Sequence, residues 1–272
     1  MITTVYPRLV IPHSPINWSH PLAHGLVDWW LALSQWSGGT TLRDLTLRSN
    51  GTLTNMASPP TTTSGWNSSM SPPRTGEFGA LAYDGTDDYV DVGSNSVLNG
   101  TTFTIALWFN PVVIGGAVHT LFGHKGDFHP RHISLDWQTT NKVTIGDENA
   151  AYILDFGTTF SAANTWYHVA WTYANGTNTG YTNGVADGST SYTFGADYTG
   201  NYYISSPTST FNGFIDDVRI YNRALSATEV QQLYTNALVG YPGLLHRARL
   251  PRFVASTVPI FGDEDGVWYV LV

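Results

Sequence analysis

Between Ala80 and Tyr221 the sequence is cut into short alternating runs, each closed by Gly, Asn or Asp. The run TFTIALWF, Thr102 to Phe109, sets Phe103, Ile105, Leu107 and Phe109 on one face and Thr104, Ala106 and Trp108 on the other. A two-residue period of this kind belongs to a strand. Asn175-Gly176 and Asn183-Gly184 stand between such runs, and Asn-Gly supplies the positive φ that a tight hairpin needs. ALAYDG, YVDVG, HTLFGHK, HISLDW, KVTIG, AYILDF, TWYHVAWTY, NYYIS and FNGFIDDVRIY continue the series. The expectation is an all-β fold, a two-sheet antiparallel jelly-roll sandwich. One short helix is expected near its C-terminal end. Ser226 and Glu229 have capping-box spacing, Val230, Leu233, Tyr234, Ala237 and Leu238 recur at helical spacing, and Gly240 and Pro242 stop the run.

The flanks read differently. Residues 1–24 hold Val5, Tyr6, Leu9, Val10, Ile11, Ile16 and Trp18 among prolines at 7, 12, 15 and 21. Proline donates nothing to a strand ladder, so this segment is expected as an extended arm rather than a central strand. Residues 25–239 form the expected domain, and residues 240–272 a second arm with one or two short strands. Apolar arms of this kind must be covered by the domain, by another copy or by a partner. The start of the chain lacks a basic stretch followed by a long apolar run, so it is not read as a secretory signal. No run reaches the roughly 18 apolar residues of a membrane span. A net charge of -8 argues against nucleic acid. With no cysteine, disulfides and thiolate metal sites are excluded.

Four ordered pieces carry a resemblance: GLVDWWLALSQWSGGTTLRDLTLRSNGTLTN, ALAYDGTDDYVDVGSNSVLNGTTFTIALWFNP, NTWYHVAWTYANGTNTGYTNGVADG and GFIDDVRIYNRALSATEVQQLY. Together, over about residues 25–239, they resemble the laminin-G-like, concanavalin A-like jelly-roll superfamily. The segment from Asp44 to Gly51 departs from it, with Leu47 and Ser49 where family members carry more glycine.

Asp216 and Asp217 lie together in an apolar strand. Neighbours on a strand point to opposite faces, so they cannot serve one bond as an acid/base pair. The resemblance implies a structural Ca²⁺ held by one of these acids with backbone oxygens near Asn50 and Gly51. The alternative is carboxylates bound to Arg219, Arg223 or backbone amides. In both cases the acids join the last strand to the first. Asp84, Asp87 and Asp88 could bind Ca²⁺ or simply shape a turn. His119, His124, His129 and His132, with Asp127 and Asp136, lack the spacing of a zinc-peptidase motif. Trp36, Trp66 and Trp137 are the expected sugar-stacking residues, Trp66 foremost because it sits in a Pro/Ser/Thr loop, whereas Trp108 and Trp171 are expected in the core.

No catalytic residues are expected. The Glu-x-Asp-x-Glu strand of related laminarinase-type jelly rolls is missing, as is Gly-x-Ser-x-Gly. The resulting expectation is a non-enzymatic structural or adhesive protein of a bacteriophage virion, as capsid decoration or fibre. Its arms would grip the capsid or neighbouring subunits in a homo-oligomer, with weak glycan binding. The alternative is a carbohydrate-binding module of a bacterial extracellular protein.

Overall fold

The computed structural model describes residues 16–32, 39–73, 79–124, 134–147, 151–195, 199–238, 261–262 and 268–269. Its strands, in chain order, are β1 (Leu26–Trp30), β2 (Thr41–Leu42), β3 (Gly51–Thr54), β4 (Gly65–Asn67), β5 (Ala80–Asp84), β6 (Tyr89–Gly93), β7 (Thr102–Pro111) and β8 (His119–His124). They continue as β9 (Ser134–Trp137), β10 (Val143–Asp147), β11 (Ala151–Asp155), β12 (Tyr167–Ala174), β13 (Thr177–Thr182), β14 (Val185–Ser191), β15 (Tyr202–Ile204) and β16 (Asn212–Tyr221). The helix α1 (Ala227–Leu238) follows. Near the C-terminus, Phe261–Gly262 pairs with Trp268–Tyr269 as a two-stranded ribbon.

Two eight-stranded antiparallel sheets make the jelly-roll sandwich. The first runs β14-β13-β12-β7-β16-β5-β4, with β1 also on β16; the second runs β11-β10-β9-β8-β15-β6-β3-β2. Phe103, Ile105, Leu107 and Phe109 of β7 enter the core between the sheets with Trp171, Trp137, Val90 and Ile145, as the alternation of TFTIALWF requires. Trp108 and Ala106 face the other way. There they meet Trp29, Leu22, Leu45, Val230 and Leu233 in a second cluster. Around β7 and β12 the outer face of the first sheet is therefore covered by α1 and the segment before and within β1, and Ala80, Ala82 and Phe214 form a smaller cluster with Met70 and Trp166.

Part of the expected N-terminal arm belongs to that covering. Ile16, Leu22 and Ala23 are buried against the domain. The capping box holds: Ser226 N–H and Oγ–H both reach Glu229 Oε2 at 2.9 Å, and Glu229 N–H returns to Ser226 Oγ at 3.3 Å. Among the described residues, no helix is long and apolar enough to cross a membrane.

β16 contains a register break. Asn212 to Ile215 pair with β5, and Val218 to Tyr221 pair with β1 on the same side, while β7 lies along the other. The bulge between these halves holds Asp216 and Asp217, the latter at φ 55°. One extra residue in a strand reverses which side chains face the core beyond it. Ile215 before the bulge and Val218 and Ile220 after it accordingly all enter the same core.

Candidate functional site

Each acid of the bulge ties β16 to the first strand, as the sequence implied. Asp216 Oδ1 accepts the Ala32 N–H at 2.8 Å, on the core side, beside a small cavity lined by Trp30, Leu81, Tyr83 and Val218. Asp217 Oδ1 accepts Trp29 Nε1–H at 2.5 Å and Arg219 Nε–H at 2.8 Å. The Arg219 guanidinium lies 4.0 Å over the Trp29 ring and reaches Asp217 Oδ2 at 3.2 Å.

The implied calcium site does not fit this arrangement. Both oxygens of Asp217 are engaged by a cation, which repels a second cation, and Asp216 serves a backbone amide on the other face. Asn50 Oδ1 accepts the Asp44 N–H at 3.1 Å. Gly51 pairs with Leu42, and a Cβ there would meet Val90 Cγ1 at 2.5 Å, so it is glycine for close packing. The set Asp216, Asp217, Asn50 and Gly51 is thus a structural seam rather than a cation cage, and the reading of the acids as bound to Arg219 and amides accounts for them.

Sequence reasoning missed the acid that organises this seam. Asp44 is fully buried. Its Oδ1 accepts the amides of Trp29 and Thr46, both at 2.9 Å, and its Oδ2 accepts those of Arg48 at 2.8 Å and Ser49 at 3.0 Å. Thr46 Oγ1–H adds a bond of 2.5 Å to Oδ2. Asp28 lies nearby, 2% exposed. Burial and the Asp44 charge push its carboxyl up to about 6, against the pull of a hydrogen bond from Asn95.

The aromatic candidates divide. Trp137 is fully buried against Phe109 and Phe160, so it is a core residue with no face for a sugar. Trp108 and Trp171 are core residues as expected. Trp66 is half-buried on the edge strand β4, and its Nε1–H donates to Gly39 O at 3.0 Å. Trp36 falls outside the described residues, as do Asp127, His129 and His132. His119 bonds through Nδ1 to Thr210 O, and His124 is buried beside Tyr202. His168 is buried next to Trp108 and Tyr234, and burial lowers it to about 4.

The outer face of the second sheet has a different character. Cross-strand register aligns Thr52, Asp91, Tyr203, Gly123, Ser134, Gly146 and Tyr152 in one row. The residues flanking this row, among them Val90, Ile204, Phe122, Leu135 and Ile145, point to the core. Gly123 and Gly146 contribute no side chain to the row between Tyr203 and Tyr152. Tyr152 is 48% exposed. Tyr89 meets Tyr203 edge to face with centroids 5.5 Å apart, and Asn201 Nδ2–H donates to Asp91 Oδ2 at 2.9 Å.

Two antiparallel sheets in this strand order, packed face to face, make a jelly-roll sandwich. The chain belongs to the concanavalin A-like lectin/glucanases superfamily, whose family model matches residues 84–231, more than half of the sequence. No curated protein sequence matches it. Among solved structures it is similar to domain 4 of AbnA, an extracellular arabinanase from Geobacillus stearothermophilus solved with arabinotriose. The identity is 21% and the TM-score 0.58, over 77% of this chain and 98% of that one. It is also similar to Trypanosoma rangeli sialidase, at 14% identity and TM-score 0.56, over 78% of this chain and 33% of the sialidase. The binding domain of botulinum neurotoxin DC, solved with SialylT, matches at 16% identity and TM-score 0.55, over 79% of this chain and 52% of that one. The chain spans about a third of the length of the sialidases it matches. At these identities the likeness is one of fold.

Proposed function

We propose that this domain is a non-enzymatic glycan-binding module that takes sugars on the outer face of its second sheet. The observation that carries the reading is which sheet face remains for a ligand. Among the described residues, the two inner faces form the core, α1 with residues 16–31 covers the outer face of the first sheet around β7 and β12, and Met70 and Trp166 pack on Ala80, Ala82 and Phe214 beside it. The remaining face carries Tyr89, Asp91, Asn201, Tyr203 and Tyr152, each at least partly open to solvent. Tyrosine rings stack on sugar rings, and an Asp–Asn pair offers both acceptors and donors to hydroxyls. Arabinotriose and SialylT, held by two of the structural neighbours, make glycans the ligand class to test first. An extracellular location accords with that use.

The buried carboxylates of the seam offer no acid pair for hydrolysis. Glycoside cleavage needs two acids flanking one bond, about 5–10 Å apart. Asp44 and Asp217 are occupied by amides, an indole or a guanidinium, and Asp216 faces the core. The second reading is the virion protein, with arms on a capsid or a neighbouring subunit. Its support is the apolar character of residues 1–15 and 240–260, because Ile16, Leu22 and Ala23 are already used by the chain's own domain.

The test is a glycan array that includes arabinan oligosaccharides and sialylated glycans, probed with the full chain and with Tyr203→Ala and Asp91→Ala. Binding weakened about tenfold or more by either variant supports the site. Binding to no glycan sinks the reading. Cleavage of any polysaccharide, abolished by replacing one carboxylate, overturns the non-enzymatic part.

A further inference from the structure

Between the sheets, at the bulge of β16, lies a small cavity whose walls come from both layers. Leu81 of β5, Ile215 and Val218 of β16 and Ile204 of β15 supply its apolar part. It leaves ≈ 10 Å³ for the centre of a water molecule. That is the lower edge of the roughly 10–15 Å³ that one water needs. A cavity with only apolar walls stays dry. This one has two polar side chains in its wall. The first is Asp216, 3% exposed, whose Oδ1 accepts the Ala32 N–H at 2.8 Å. The second is Tyr83.

Tyr83 is 1% exposed, and its hydroxyl makes no hydrogen bond to the protein. Burial, and then the charges of Asp88 and Asp216, hold that hydroxyl protonated well above the ordinary tyrosine range. It is therefore a donor at every pH near neutral, and a buried donor with nothing to bond is costly. The Asp216 charge bears on the hydroxyl, yet no direct bond joins the two. Two polar groups that line one small cavity without touching are joined by a water that fits between them.

We propose that this cavity is an internal hydration site, in which one buried water links the Tyr83 hydroxyl to the Asp216 carboxylate. The water oxygen accepts the tyrosine proton, and one water hydrogen goes to the carboxylate, so each side chain gains a partner of the right sense. The volume admits one water and no larger ligand. The link bears on the bulge. Through the Ala32 amide, Asp216 already holds the chain just past β1, and the water extends that hold to β5. β1 and β5 are the two strands that pair with β16 on the side away from β7, one beyond the bulge and one before it. One carboxylate thus fastens both across the register break. The site does not rest on glycan binding.

The experiment is a crystal structure of the full chain, and of Tyr83→Phe, at a resolution that shows ordered water. Water magnetic relaxation dispersion then counts the long-lived internal waters of both proteins in solution. Wild type should show one water about 2.5–3.0 Å from both Tyr83 Oη and an Asp216 carboxylate oxygen. Tyr83→Phe keeps the ring in the core and should keep the fold by circular dichroism. It should lose that water and count one long-lived water fewer. A wild-type cavity without water would overturn the site, as would a direct bond between Tyr83 Oη and Asp216. A water that stays in place in Tyr83→Phe, with the count unchanged, would show that the tyrosine does not hold it and overturn the link equally.

Discussion

Asp217 and Arg219 form a buried salt bridge at 2.8 Å from two positions on the same strand. Residues i and i+2 share a face, but Asp217 reaches it only because its φ of 55° starts the bulge. Arg219 then spans Trp29 and Asp217 together, so one cation closes the contact between first and last strands.

Breaking that pair leaves a buried charge alone, which costs about 3–5 kcal/mol. Arg219→Ala is expected to lose that much in urea denaturation, and Arg219→Met less, because Met still covers the Trp29 ring. Asp217→Asn should be milder than Asp217→Ala. Asn accepts the left-handed backbone and keeps an oxygen for the indole, whereas Ala does neither well. Equal stabilities for Arg219→Ala and wild type would show that the pair contributes nothing net.

Leu47 carries the opposite expectation. It sits at φ 68° and is 63% exposed, in the turn that wraps Asp44. A leucine in the left-handed region costs about 1–2 kcal/mol, partly offset by the chain entropy that glycine adds to the unfolded state. Leu47→Gly should therefore stabilise by about 0.5–1 kcal/mol. A midpoint in urea that falls would mean that Leu47 has a covering partner.

The strands were legible because their alternation is strong. TFTIALWF and TWYHVAWTY register residue by residue as β7 and β12. The same alternation also held an unread clue. Phe211, Gly213 and Ile215 keep one phase and Val218 and Ile220 the other, and that slip is the bulge. Asp44 was not legible: its role depends on five donors, one in β1 and four in the folded loop that follows, and the sequence shows only one acid among polar residues. Trp137 misled because an aromatic in a short strand reads alike whether it faces solvent or core. Tyr203 was passed over because its place beside Asp91 depends on pairing between β15 and β6, which lie far apart in the chain.

Two buried groups with opposed titrations set the last prediction. Asp28, beside Asp44, Arg48 and Asn95, is raised from 3.8 to about 6. Between those values the native state holds a proton that the unfolded state has released, so stability falls as pH rises through the window. His168, which feels Asp217 and Arg219, is lowered from 6.5 to about 4. There the unfolded state holds the extra proton, so stability falls as pH drops from 6.5 towards 4. Each shift is worth on the order of 3 kcal/mol, and across pH 4 to 6 the two slopes oppose each other. Asp28→Asn keeps an oxygen for Asn95 and removes only the titration. Its stability should match wild type near pH 4 and exceed it by about 2–3 kcal/mol above pH 6, while its own curve now falls steadily on acidification. His168→Gln should do the reverse, removing the loss on acidification and leaving the Asp28 slope, to which Asp88, raised in the same direction, adds. Urea midpoints taken from pH 4 to 7 measure both. A difference between Asp28→Asn and wild type that stays constant across this range would show that Asp28 does not titrate there.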